Sequence, residues 1–246
     1  MKKNFRFQSA LGAAAFVLAV ATTGSVYTSC TKSSNATPKD TLPSATVAAT
    51  LGNIVTGSGG GTATQAEANA SMYQNMSWLC GTIIDTTISG NTNSGGMTMN
   101  YSMTYADSAF CSGGNINKVD FYMKAFSDMS TTGTYYGMVS TMYMSLAGLD
   151  SASTSYTVNQ SSTSVDTVKT TSGSTTASYY FNISYSGSNI MISKTTAQIT
   201  SGTASVSYSY KTSAGNTYNE SATVKYIGNL QAVLTLANGY TSTITW

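Results

Sequence analysis

Four aspartates are the residues whose type and spacing come closest to a catalytic or metal site. They are Asp85, Asp107, Asp120 and Asp128. Two carboxylates on neighbouring strands can share general acid and general base work, or they can bind Ca²⁺. The alternative is that they are surface side chains at strand ends and in loops. We favour this alternative because the chain has neither an Asp-x-Asp-x-Asp run nor a helical pair of glutamates.

Other common catalytic chemistries lack an essential partner in this sequence. The chain contains no histidine, so a serine or cysteine nucleophile has no imidazole base, and a zinc site has no imidazole ligand. Serine is abundant, but no Gly-x-Ser-x-Gly motif marks one as a nucleophile. We therefore predict a protein that is not an enzyme, with no catalytic residues, no metal site and no cofactor.

Tyrosines on the polar side of the predicted strands are candidates for ligand binding. The Tyr and Met residues that alternate with polar residues are expected to form the core, whereas some tyrosines fall on the opposite face. A flat, exposed aromatic ring can stack on a sugar or a peptide. The candidates are Tyr122, Tyr135, Tyr143 and Tyr180.

Two of the three cysteines, Cys80 and Cys111, are predicted to form a disulfide, because an exported protein folds in an oxidising compartment. The bond would join the end of an N-terminal helix to the loop between early strands. In the chain-entropy model, closing a loop of this length stabilises the fold by about 3 to 4 kcal/mol.

The first thirty residues have the pattern of an export signal. Lys2, Lys3 and Arg6 form a positive segment, and Ala10 to Ala21 form an apolar segment that is too short to span a bilayer. A polar stretch then leads to Cys30. We interpret residues 1–29 as a signal peptide.

The residues before Cys30 resemble the lipobox of bacterial lipoproteins, in the loose form found in Bacteroidota. Tyr27 stands where that family usually has leucine or another aliphatic residue. The resemblance implies cleavage before Cys30, a lipid on its side chain, and anchoring to a bacterial membrane, for which we expect the outer membrane. The alternatives are secretion after cleavage at Ala21, and retention of the segment as a membrane anchor.

Composition restricts the partners of the mature chain. The three basic residues of the signal are among eleven in the chain, and none of the nine acidic residues precedes Cys30, which leaves a net charge of −1. The sequence has no basic stripe for a phosphate backbone, so we predict no nucleic-acid partner. Charged residues make up 8% of the chain, against about 25% in ordinary soluble domains, and Ser, Thr and Tyr are typical of exported β-structure.

The remaining chain is predicted to contain a tether and a single domain. Residues 30–61 hold both prolines, Pro38 and Pro43, and end in a glycine-rich run, which is typical of a flexible linker. Residues 62–246 would form the domain. It begins with a helix near residues 65–79, because Thr64 and Glu67 have the spacing of a capping box and an apolar stripe follows.

Beyond Cys80 apolar and polar residues alternate with the period of two that indicates β-strands, as in Met97 to Tyr105 and Val119 to Ala125. Ala106 to Asn117 is expected to be a loop, Ser186 to Asn189 a turn, and residues 150–174 give only weak strand patterns. No helical pattern separates the strands. We therefore predict an all-β fold, an antiparallel next-neighbour meander of about 10–12 strands that is curved or barrel-like, with a two-sheet sandwich as the alternative.

The last strands allow the register to be predicted. Their apolar residues all have even numbers, so facing residues must pair even with even, which a three-residue loop permits. Ala237-Asn238-Gly239 and Ile227-Gly228-Asn229 fit such loops, with Gly239 and Asn229 in the left-handed conformation. Leu236 should then face Tyr240, and Leu230 should face Trp246.

These observations favour a non-catalytic, envelope-anchored lipoprotein with a structural or surface-interaction role. Its partner would be an envelope protein or a glycan, on the periplasmic or the outer side of the membrane. The alternative is a binding protein for a small apolar or carbohydrate-like ligand, held in a barrel mouth or on a Tyr-rich face. A hydrolase is the least favoured class.

Overall fold

The structure is a computed structural model that describes residues 43–57, 61–75, 78–211 and 215–246. The predicted signal peptide and Cys30 lie outside the described residues. Within these ranges two helices, α1 (Ser44–Thr56) and α2 (Thr62–Asn75), precede ten strands. The strands are β1 Ile83–Ser94, β2 Met97–Ser112, β3 Asn115–Thr131, β4 Thr134–Ala147, β5 Ser155–Ser172, β6 Thr175–Ser193, β7 Ile199–Lys211, β8 Thr217–Gly228, β9 Gln231–Leu236 and β10 Thr241–Thr245.

All ten strands form one antiparallel sheet in which each strand pairs with the next along the chain. The prediction of an all-β, next-neighbour meander is confirmed. The barrel is wrong, because the sheet stays open and its edge strands β1 and β10 do not pair. Closure would require β1 to pair along β10, but β10 is short and α1 packs against it. With every described strand in one sheet, the sandwich is not confirmed.

Glycine turns join the early strands more tightly than we predicted. Gly95 and Gly96 connect β1 to β2, and Gly113 and Gly114 connect β2 to β3, all with positive φ. The predicted loop from Ala106 to Asn117 is therefore wrong, since most of it belongs to β2 and β3. The alternation is hidden there because a polar residue, Asp107, occupies a buried position.

Residues 150–174, whose sequence gives only weak strand patterns, contain one of the longest strands. β5 runs from Ser155 to Ser172 and pairs along most of its length with β4 and β6. The predicted turn at Ser186 to Asn189 is instead an irregularity within β6, where Asn189 has positive φ and the pairing with β5 and β7 shifts.

The register at the C-terminus agrees with the prediction for the last hairpin. The Leu236 amide donates to the Tyr240 carbonyl at 2.9 Å, the Trp246 amide donates to the Leu230 carbonyl at 3.2 Å, and Gly239 has φ of 84°. Between β8 and β9 even residues again pair with even residues, and Asn229 is left-handed. The predicted three-residue loop is wrong there, because Gly228 pairs with Gln231 across a turn of Asn229 and Leu230. A bulge between Tyr226 and Gly228 restores the even pairing and places Tyr226 opposite Ala232.

Helix α1 corrects the predicted tether. Residues 44–56 are helical and pack against β7–β10, with Leu51 and Val55 fully buried. The sequence contains the reason, since Val47, Leu51 and Val55 recur at every fourth position and Pro43 stands just before the helix. Gly52 allows close approach to the sheet, because a Cβ at this position would lie 2.9 Å from Cγ2 of Ile244.

Helix α2 confirms the predicted helix but not its ends. It begins at Thr62 and ends at Asn75, and Leu79 is exposed beyond it. The capping box is wrong, because the Glu67 carboxylate reaches across to the sheet. Its Oε1 accepts the Ile199 amide at 2.8 Å and its Oε2 accepts the Trp246 indole N–H at 3.1 Å. Burial raises the pKa of Glu67, and these two hydrogen bonds oppose the rise.

The main hydrophobic core lies between the helices and one face of the sheet. Tyr185 and Tyr226 are fully buried in it, and their hydroxyls share a hydrogen bond of 2.9 Å. Trp78 extends the cover towards β3 by an edge contact with Phe121 at 6.0 Å. A smaller cluster on β2–β4 contains Met103, Met123, Ala125, Met138 and Met142.

The predicted disulfide between Cys80 and Cys111 is present, and it closes a separation of 31 residues. It joins the turn before β1 to the end of β2, and so it holds the edge strand to its neighbour. Within the described part of the chain, no helix combines the length and the apolar character needed to cross a membrane.

The burial of α1 should make it essential for stability. Leu51→Ala removes a side chain with 0% exposure and leaves a cavity, so we expect the free energy of unfolding to fall by about 2 to 5 kcal/mol. Leu79→Ala is the matched control, because Leu79 is 73% exposed and its loss should cost less than about 0.5 kcal/mol. Urea unfolding measures both, and equal effects would mean that 44–56 is a tether after all.

Candidate functional site

One face of the sheet lies away from the helices and is uncovered among the described residues. Buried and exposed residues alternate along β3, β4, β5 and β8, and the buried ones point to the helices and the core. The exposed ones are mostly Ser, Thr and Asn. We call this second side the hydroxyl face, and it runs across β1–β9.

Hydroxyl side chains on this face stand in rows across the strands, because facing residues stay in register from one strand to the next. Hydrogen bonds join Thr87 to Thr104 at 3.0 Å, Thr141 to Thr163 at 2.8 Å and Ser184 to Ser207 at 3.1 Å. The strands lie about 4.8 Å apart, so the row has a regular spacing. The complete row is Thr87, Thr104, Lys124, Thr141, Thr163, Ser184, Ser207 and Ser221.

Short side chains leave two shallow depressions on the hydroxyl face. One, of about 500 Å³, lies over β5–β8 and is lined by Thr163, Asn182, Ser184, Ser207 and Asn219, among others. The second, of about 430 Å³, lies beside it over β6–β9, with Ser186, Ser205, Thr223 and Thr235. Both present hydroxyl and amide groups to solvent with little charge.

The structure separates the four predicted ligand-binding tyrosines into two pairs, all on the hydroxyl face. Tyr122 and Tyr143 are direct cross-strand neighbours on β3 and β4, and both are exposed. Tyr135 lies on β4 roughly 27 Å from Tyr143 at the usual rise per residue. Tyr180 on β6 is near the same end of the sheet as Tyr135, with β5 between them.

The sequence analysis missed an apolar patch on the same face. Phe126, Val139 and Val165 are consecutive across β3, β4 and β5, and each is more than 40% exposed. The signal was available, since all three stand at positions where the alternation requires a polar residue. The patch lies between the two tyrosine pairs, so this part of the face combines flat apolar surface with hydroxyl groups.

The register places eight charged groups on the face, namely Asp85, Lys118, Asp120, Lys124, Asp128, Lys169, Lys211 and Lys225. Four of them make the following contacts. Lys118 forms an ion pair with Asp120 at 2.9 Å and also lies over the Phe110 ring. The Lys169 ammonium lies 5.4 Å from the centre of the Tyr135 ring. Asp128 accepts the Asn100 side chain at 2.8 Å, and Asn91 continues this ladder to β1.

The four aspartates considered for catalysis are not brought together. Asp85, Asp120 and Asp128 lie on the hydroxyl face on different rows, whereas Asp107 is buried on the opposite face. No group of three or more Cys, Asp or Glu side chains converges as a metal site in the described ranges. The pattern suits neither a paired acid and base nor a calcium site.

A buried polar column on β5 was also missed. Gln160, Ser162, Ser164 and Asp166 all point towards the interior. The Ser164 hydroxyl donates to Asp166 Oδ1 at 2.6 Å, and burial raises the pKa of Asp166 to about 6. Burial likewise raises the pKa of Asp107 to about 6. Because polar residues occupy these buried positions, apolar and polar residues do not alternate along this part of β5, and the sequence pattern does not indicate a strand.

Comparison with known proteins gives no further guidance, because no family model, curated protein or solved structure matches the chain.

The buried carboxyl groups should make stability depend on pH. The pKa of Asp166 is higher in the folded than in the unfolded protein, so the folded state is favoured while this carboxyl is protonated. Its contribution to the free energy of unfolding is complete below about pH 4 and is lost as pH rises through about 6. For Asp166, which is 5% exposed, the loss is up to about 3 kcal/mol. Asp166→Asn cannot ionise and should flatten the curve.

Urea unfolding at steps between pH 4 and pH 7 measures this effect. Asp107 remains in the variant, so we expect the slope to fall by about half, because its pKa is raised to a similar value. An unchanged slope in Asp166→Asn would show that this carboxyl is solvated in the folded protein.

Proposed function

We propose that the mature protein is a non-catalytic lipoprotein of a bacterial cell envelope, anchored through Cys30 and facing the periplasm or the cell exterior. It uses the hydroxyl face to contact another envelope component. The observation that carries this proposal is the contrast between the two faces of one sheet. Part of one face packs against α1 and α2, whereas the other is open, regular and made mostly of hydroxyl and amide side chains among dispersed charges.

The character of the hydroxyl face supports an interaction role. Its side chains are short and stand on paired strands, so binding would immobilise few rotatable bonds. The Phe126, Val139 and Val165 patch supplies apolar area that a partner can cover. Its five lysines and three aspartates are spread over the face and form no continuous basic stripe, which disfavours a nucleic-acid partner.

A glycan is the specific candidate for that partner. Tyr122 and Tyr143 are exposed cross-strand neighbours, and rows of hydroxyl and amide groups continue from them towards β9. Sugars offer both apolar ring faces and hydroxyl groups, which match these two components. The open sheet leaves no barrel mouth for a small ligand, so the Tyr-rich face is the version of the binding hypothesis that we retain. An envelope protein is the alternative partner.

The first prediction about function concerns the lipid anchor at Cys30. Cys30→Ser removes the sulfur that would carry the lipid, so the variant should move from the membrane fraction to the soluble fraction in the producing bacterium. Intact mass of the membrane-bound wild type should show a chain that begins at Cys30 with added acyl groups. A Cys30→Ser form that stays equally membrane-bound would contradict lipid anchoring.

Binding to the glycan is tested with the tyrosine pair. Purified full-length protein in detergent should co-sediment with isolated peptidoglycan sacculi, and Tyr122→Ser with Tyr143→Ser should weaken this binding by about tenfold or more, since stacking on a ring contributes about 1 kcal/mol. Tyr240→Ser is the control, because Tyr240 is equally exposed but lies in the last turn.

Equal binding of the double variant and the control would remove the tyrosine pair from the site. Wild-type protein that does not co-sediment would exclude sacculi and leave an envelope protein as the partner.

A further inference from the structure

An open cleft of about 800 Å³ lies where both helices meet the C-terminal part of the sheet. Asn53 contributes from α1, Glu67 and Ser71 from α2, and Gln198 from the connection between β6 and β7. Leu230 and Trp246 are the large apolar residues of its lining. The cleft is separate from the hydroxyl face, because it is built from the helices that cover the other side of the sheet.

Among the described residues, Glu67 is the only acidic one that lines this cleft. Its two carboxylate oxygens each accept one hydrogen bond, from the Ile199 amide and from the Trp246 indole. Both partners can only donate, so they favour the ionised carboxylate. Each oxygen also keeps a lone pair that these two bonds do not use.

The charge on Glu67 has no cationic partner among the described residues. The ion pair found there joins Lys118 to Asp120, on the hydroxyl face. The nearest lysine in the β6–β7 connection, Lys194, directs its ammonium to the Asp150 carbonyl and the Tyr156 ring. A half-buried carboxylate without a counter-ion attracts a cation from solution, and an anion would be repelled.

The other walls of the cleft restrict which cation fits. Leu230 and the Trp246 indole are half-exposed and apolar, and Asn53, Ser71 and Gln198 offer hydroxyl or amide groups. Calcium needs six to eight oxygen ligands and usually several carboxylates, so a single glutamate is a poor site for it. An ammonium group on an apolar chain suits one carboxylate beside an apolar wall and an aromatic ring.

We propose that this cleft binds a primary ammonium group carried on a short apolar chain, with the Glu67 carboxylate as its counter-ion. The ammonium would donate to the free lone pairs of the carboxylate, and the chain would lie along Leu230 and Trp246. A lysine side chain of a protein partner and a free alkylamine share this chemistry. The proposal does not depend on the function assigned to the hydroxyl face.

The probe is n-butylammonium, added to the full-length protein in neutral detergent micelles. The ¹⁵N-labelled Trp246 indole donates to Glu67, so its N–H resonance should shift in a saturable manner. The Trp78 indole is the internal reference, because it packs on Tyr73 and Phe121 and does not line the cleft. Butan-1-ol has the same chain without charge and should bind at least about tenfold more weakly.

Glu67→Gln keeps the side-chain size and removes the charge, so the affinity for n-butylammonium should fall by about tenfold or more. Glu220→Gln is the matched control, because Glu220 is the other glutamate of the chain and lies on β8 outside the cleft. Its affinity should equal that of the wild type. Equal affinity in Glu67→Gln, or equal binding of butan-1-ol, would overturn the proposal, as would a wild type that does not bind n-butylammonium.

A second pair of variants covers the case in which Glu67→Gln does not fold. Ala68 is exposed on α2 at the edge of the cleft, so Ala68→Lys places an ammonium there without removing any hydrogen bond of Glu67. It should abolish n-butylammonium binding, whereas Ala68→Gln should retain it. Binding that survives Ala68→Lys unchanged would place the probe elsewhere.

Comparing n-butylammonium with Nα-acetyl-lysine amide distinguishes the two sources of the ammonium. Tighter binding of the lysine derivative would indicate a protein side chain, because its amide groups can also pair with Asn53 and Gln198. Equal or weaker binding would indicate a free amine.

Discussion

The packing of α1 against β7–β10 determines how this sheet can be used. Leu51 and Val55 from the helix join Tyr226 and Leu234 from the strands in one buried cluster. Glu67 on α2 adds a polar link to the sheet. Its carboxylate accepts hydrogen bonds from the Ile199 amide at the start of β7 and from the Trp246 indole. A single open sheet needs such a cover, since one layer alone cannot remove its apolar face from water. The helices therefore cover the β5–β10 part of one face and leave the other face exposed.

The free face gains its regularity from the same architecture. Next-neighbour pairing keeps most facing residues in register over many strands, so Ser and Thr residues with alternating positions become rows, as from Thr87 to Ser221. Such a surface stays soluble through hydroxyl groups although charged residues are only 8% of the chain. Apolar residues interrupt it at Phe126, Val139 and Val165, where solubility alone would favour polar ones. We regard this interruption as the mark of an interaction surface.

The sequence predicted what depends on local alternation and could not predict what depends on distant contacts. Alternation indicated the meander, the even-with-even pairing and the left-handed Gly239. It failed along β5, where buried Ser164 and Asp166 interrupt the apolar pattern. Glu67 looked like a local helix cap, yet its partners are Ile199 and Trp246, far along the chain. The tyrosines were placed on the correct face, but their grouping into two pairs required the register of β4, β5 and β6.

Oxidative labelling of tyrosines tests most directly whether the hydroxyl face is the interaction surface. The labelling is compared between intact membranes and the purified protein. A bound partner would cover Tyr122 and Tyr143 in the membrane, so their labelling should be several-fold lower there than in the purified protein. Tyr240 is similarly exposed and should be labelled equally in both. Equal labelling of Tyr122 and Tyr143 in the two samples would contradict the account, because the face would then be uncovered where the protein acts.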